Sequence, residues 1–235
     1  MTRWIPGILI AGAYAVSLLM LSQLPASVSL DMSNFFPPAF RLPPEQLPRW
    51  VIAFGLPTLA LLIWLMLHEA PVGMLGRLTW KIFQPFVGKR STSSGEYEKF
   101  APTYRIFVIF VVSIVLALHA AMLAIALDWP VAPGMIIGIV FGVGLAVIGN
   151  VMPRLRPNPI AGVRTPLTMR DPQAWANVHR AVGAAWLIAG VIVLLVGVAA
   201  PRYAFLTALA LMSLSALAGV GSAFGRGQPR DTPSV

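Results

Sequence analysis

Long apolar stretches separated by short polar ones dominate the chain, and their length carries the reading more than any period of two or 3.6 does. A helix crossing the hydrocarbon core of a bilayer needs about 20 mostly apolar residues. Six stretches come to about that length: residues 4–24, 50–67, 106–127, 131–151, 181–200 and 203–223. Pro57 inside the second predicts a kink there. Trp4, Trp50, Tyr104, Trp129 and Tyr203 stand at span ends, where an aromatic belt places them. Arg3 before the first stretch and Ala26-Ser27 after it imitate a signal peptide, but the run exceeds the 7–15 residues of a signal core, so it reads as a retained span. The predicted fold is all-α: a polytopic membrane bundle of six transmembrane helices.

The polar intervals divide the bundle. Residues 25–49 form one substantial external loop, rich in proline and carrying Phe35, Phe36 and Phe40. Tight turns near Asp128 and Arg202 make spans three and four, and five and six, antiparallel hairpins. Residues 91–95, Ser-Thr-Ser-Ser-Gly, read as a flexible tip. The expected organisation is a two-span region over 1–90, a linker over 91–103, a four-span domain over 104–224 with a cap at 152–180, and a flexible tail over 225–235. In the fourth span Gly134, Gly138 and Gly142 share one face, and Ser215, Gly219 and Ala223 repeat the pattern more weakly in the sixth. Small residues at this spacing read as a helix-packing seam, inside the chain or between copies; close approach of a ligand or ion path is the alternative.

Composition agrees: 57% of residues are hydrophobic and 11% charged, against about a quarter charged in soluble domains. The net charge of +9 would suggest nucleic-acid binding in a soluble protein. Here its distribution assigns it to membrane topology, with the lipid bilayer as partner and no nucleic acid. Of 17 Lys and Arg, only Arg41, Arg49 and Arg202 fall on one side of the six spans, and the other 14 fall on the opposite side. The positive-inside rule then places both termini in the cytoplasm.

Several chemistries are missing. There is no cysteine, which excludes disulfides, thiolate metal sites and cysteine nucleophiles. His68-Glu69 begins like a metalloprotease helix, but Val72 stands where the second histidine belongs. Asp31, Asp128, Asp171 and Asp231 all fall in loops, tails or span ends, and no phosphate-binding loop occurs. The chain therefore reads as a non-enzyme without cofactor or metal. His119 is the one ionisable residue deep in a span, about 13 Å from Asp128 along the helix. It is a candidate proton relay or ligand contact, or a structural hydrogen-bonding group.

Residues 149–180 differ in kind. Pro153, Pro157, Pro159, Pro166 and Pro172 exclude one continuous helix. Arg154, Arg156, Arg164 and Arg170 keep the segment out of lipid, and Gly162 predicts a tight turn. Asp171-Pro172 is an N-cap followed by proline at the first helical position. On the helix that follows, Trp175, His179, Val182 and Trp186 share a face. The expected object is a folded basic cap in which Arg164 approaches His179 and Trp175.

The segment resembles the SdpI-type family of bacterial membrane immunity proteins. The matching residues are Gly149-Asn150, Pro153, Pro157-Asn158, Gly162-Val163-Arg164-Thr165-Pro166, Thr168, Trp175 and His179-Arg180, followed by Gly183. Leu167 replaces a usual tryptophan, and Pro159 stands where an aromatic is common. The external loop begins Leu24-Pro25 but lacks the histidine that many members carry, so the front half is divergent. His119 agrees with a histidine frequent in the family's third span. The resemblance implies a multi-pass protein of the bacterial cytoplasmic membrane that protects its cell from a secreted, membrane-acting peptide toxin and holds a cytoplasmic repressor at the membrane. The binding residues it implies are Asn150, Arg164, Thr165, Pro166, Trp175, His179 and Arg180, with His119 added on its depth. Competing readings are a small proton-coupled transporter using His119 and the glycine face, and a lipid-binding envelope protein whose basic cap engages anionic headgroups.

Overall fold

The computed structural model describes residues 4–30, 45–69, 94–158 and 161–225. The aromatics Phe35, Phe36 and Phe40, the loop arginines and lysines between 70 and 93, Pro159, and Arg226 and Arg230 lie outside the described residues. The helices are α1 (Ile5–Met20), α2 (Arg49–Glu69), α3 (Ser94–Ala126), α4 (Pro133–Val151), the short α5 (Pro166–Arg170), α6 (Pro172–Ala199) and α7 (Ala204–Gly225). Single 3₁₀ turns at Met152–Arg154 and Pro201–Tyr203 follow α4 and α6. Among the described residues five helices are long and apolar enough to cross a membrane, which makes this a multi-pass membrane protein built as a helical bundle.

The first apolar stretch is the exception to the expected spans. Its helix α1 has 16 residues, about 24 Å, and turns at Met20, whose carbonyl accepts the amides of Gln23 and Leu24. Leu24 leaves the helix to join Val28, Ile52 and Leu123 in a small apolar cluster. From there the chain enters a two-stranded antiparallel hairpin, β1 (Ser27–Leu30) and β2 (Glu45–Pro48), with Ser27 opposite Pro48 and Leu30 opposite Glu45. The all-α expectation therefore misses this hairpin. Alternation of Val28 and Leu30 with serines was its only local signal.

Helix α3 begins earlier than hydropathy indicates. Residues 94–103, expected as linker, are its first turns, and Pro102 lies inside it. Tyr104 is not part of an aromatic belt. It is 1% exposed, and its hydroxyl donates to the Leu67 carbonyl at 2.8 Å, satisfying an acceptor near the end of α2. Trp4, Trp50, Trp129 and Tyr203, by contrast, are exposed. The turn from α3 to α4 closes as predicted: Trp129 donates to the Ala124 carbonyl, with Asp128 at φ 50°, a left-handed helix end.

Helix α4 packs most extensively against α6. The seam is internal to the chain and is made by glycines from both helices. A Cβ on Gly138 would stand 2.6 Å from the Gly197 Cα, and one on Gly190 would stand 2.5 Å from the Gly142 carbonyl oxygen. A Cβ on Gly149 would approach the Gly183 oxygen to 2.6 Å. Ascending positions on α4 meet descending positions on α6, so the helices are antiparallel and in backbone contact. Only residues without a Cβ permit that approach. Helix α7 joins the same core through the Trp186 indole, which donates to Ser215 Oγ at 2.7 Å, and through Gly219 against Val182.

Candidate functional site: the cap over helix α6

The cap is a chain reversal, and nearly every residue of the motif in it has an identifiable task. At its start Asn158 closes a turn. Its side-chain oxygen accepts the Ala161 amide at 2.7 Å, while its amide nitrogen donates to the carbonyls of Arg156 and Ala161. Asn158 is buried, so these bonds replace water that the side chain would otherwise hold. At Gly162 φ is +105°, and a Cβ there would collide with the His179 ring. Both the backbone angle and the close approach require glycine.

Thr165 then starts α5. Its side chain accepts the Thr168 amide at 3.1 Å, Thr168 Oγ1 accepts the Thr165 amide at 2.8 Å, and Pro166 takes the first helical position. This reciprocal pair is a capping box with threonine in place of the usual acid. The signal was present in Thr165-Pro166-Leu167-Thr168, although proline density alone argued against a helix here. Thr168 Oγ1 also donates to the Val163 carbonyl at 2.9 Å, folding α5 back on the loop. Asp171 caps α6 as predicted, accepting the Gln173 amide at 2.8 Å.

Two buried side chains of α6 bolt the loop down. The Trp175 indole donates to the Leu155 carbonyl at 2.6 Å. His179 Nε2 accepts the Val163 amide at 3.1 Å, which requires the proton to sit on Nδ1, where it donates to the Trp175 carbonyl at 2.8 Å. The bonding pattern therefore specifies the neutral Nδ1–H tautomer. The two rings stack at 3.9 Å with 18° between planes. His179 is 0% and Trp175 2% exposed, so both lie inside the cap. The backbone amide of Val163, next to Arg164 in the chain, meets the His179 ring.

Arg154, Arg156, Arg170 and Arg180 are exposed around this unit, as is Asn150 at the end of α4. Arg164 is half-buried, and desolvation lowers its pKa from the ordinary value; an arginine still keeps its charge. It lines a cavity of about 380 Å³ between the cap, α3, α4, α6 and α7, whose walls include Phe107, Ile148, Met152, Leu155 and Trp186.

His119 lies apart from the cap. It is 3% exposed, and its Nε2 is 2.9 Å from Ser17 Oγ, a bond joining α3 to α1. Beside it Tyr14 and Thr58 join α1 to α2 at 2.8 Å. Ser17 holds one ring nitrogen of His119, and the other, Nδ1, is buried with no hydrogen-bond partner among the described residues. Ser17 has no sequence signal, and the sequence marks Asn158 and Thr168 only as members of the motif. A lone serine in an apolar run carries no sign of its partner 102 positions away.

Residues 154–224 match the model of the SdpI/YfhL protein family, the same family as the resemblance in the motif. The match takes in the cap, α6 and most of α7. No curated protein and no solved structure matches the chain.

Proposed function

We propose that this membrane protein is a member of the SdpI immunity family and a non-enzymatic immunity and signalling protein of the bacterial cytoplasmic membrane. In this reading it has six membrane passes, the first made by the short α1 and the turns after it, and both termini are cytoplasmic. It protects its cell against a membrane-active peptide toxin and docks a cytoplasmic regulator on the cap. The observation that carries the reading is the coincidence of the family match with one closed structural unit: the loop locked by Gly162, Trp175 and His179 and ringed by exposed arginines.

Roles divide between contact residues and the residues that hold them. Arg180 and Asn150 are at the surface, and Arg164 is half-buried; these are the contact residues. Thr165, Pro166, Trp175 and His179 hold them in place. His119 supports the α1–α3 contact that keeps the external hairpin on the bundle.

The test is survival of a toxin-sensitive bacterium expressing the chain when challenged with membrane-active peptide toxins. Protection is expected from the unaltered chain and its loss in an Arg164→Ala, His179→Ala double variant at equal membrane abundance. Equal survival of the two would remove the cap from the reading. No protection by well-inserted protein would remove immunity itself.

A further inference from the structure

The cavity beneath the cap differs chemically from the surface above it. Its walls are apolar, among them Phe107, Ile148, Met152 and Trp186, and the Trp186 indole N–H is already bonded to Ser215. Arg164 and the hydroxyl-bearing Thr103 stand among these apolar walls. A guanidinium is the side chain best matched to a phosphate, through parallel N–H···O bonds.

A second space of about 320 Å³ runs along the outside of α3 and α4, and Ile148 lines both. Its floor is Phe110 beside Gly144, and its rim includes Ile139, Val143 and Val147, all at least 40% exposed. In a membrane protein that apolar surface faces acyl chains.

We infer that these two spaces, which share Ile148 as a wall, form a binding site for one anionic phospholipid of the leaflet at the cap end, with its phosphate on Arg164 and an acyl chain along the α3–α4 groove. The exposed Arg154, Arg156, Arg170 and Arg180 add a positive field that enriches anionic lipid nearby without selecting a site. The inference stands apart from toxin immunity and survives if that fails.

The experiment is native mass spectrometry of the full chain released from mixed micelles, titrated in parallel with phosphatidylglycerol and phosphatidylcholine. One phosphatidylglycerol should be retained with about ten-fold preference, the worth of one charge-assisted contact. Arg164→Gln should abolish the preference, Arg164→Lys should keep part of it, and the exposed Arg180→Gln should leave it intact. Ala216→Phe, filling the cavity from α7, should reduce retention of both lipids. Millimolar inorganic phosphate should not displace the lipid; displacement would make this a free-phosphate site and overturn the proposal. Equal retention of the two lipids by the unaltered chain would also overturn it. So would equal loss of preference in Arg164→Gln and Arg180→Gln, which is the signature of a diffuse field. Should Arg164→Gln fail to insert, Arg164→Lys and Ala216→Phe decide, since retention unchanged in both would be fatal.

Discussion

The front of the molecule, α1 and α2 against α3, and the back, α4 against α6 and α7, solve one problem in opposite ways. Helices in lipid gain nothing from hiding apolar surface from each other, so packing and hydrogen bonds must hold them. The front uses side chains: Ser17 with His119, Tyr14 with Thr58, and modest apolar clusters around Ile10 and Ala60. The back brings backbones together at Gly138–Gly197, Gly142–Gly190 and Gly149–Gly183, then locks a loop over the end of the seam. Side-chain packing can be repaired by many substitutions, whereas backbone contact accepts only glycine at fixed positions. The region matched by the family model contains the α6 glycines and the cap, and stops short of the front.

The sharpest way to break this contrast is to make one substitution on both sides. Gly138→Leu forces a side chain into the Gly197 backbone and should cost about 3 kcal/mol or more, enough to lose folded protein. Gly12→Leu meets nothing within 4 Å and should stay within about 0.5 kcal/mol of the unaltered chain. Thermal unfolding in detergent compares them, and similar losses would dissolve the distinction.

Next in size is His179→Ala, which empties a buried ring site and orphans the Val163 amide, for a loss of about 2–4 kcal/mol. Hydrogen exchange adds a local reading: the Val163 amide should lose its protection while amides in the middle of α4 keep theirs. Thr165→Ala removes the helix cap of α5 and should cost about 1 kcal/mol. Its front counterpart, Ser17→Ala, should cost about 0.6 kcal/mol, typical of a hydrogen bond between membrane helices. A Ser17→Ala effect larger than that of His179→Ala would show the front to be the more tightly specified half. Smallest of all, Arg180→Gln should leave stability within about 0.5 kcal/mol, because the side chain is exposed.

Much was determined by the chain alone. Apolar run length identified the five long helices among the described residues, and the positions of Asp128 and Pro201 marked the two tight turns. Proline spacing, Gly162 and Asp171-Pro172 announced a folded reversal before α6, because those residues restrict φ or cap a helix wherever they occur. The glycine face of α4 was equally legible as a seam. Its partner was not, since a small-residue stripe carries no information about which helix approaches it. Tertiary structure supplied Gly183, Gly190 and Gly197, brought the Val163 amide to His179, and buried Trp175 and His179 inside the cap. It also ended α1 at Met20 and drew Leu24 and Val28 into a hairpin root. The physical reason is common to all of these. Propensity and hydropathy are sums over neighbours in the chain, whereas hydrogen-bond pairing and backbone contact depend on distances between residues far apart in it.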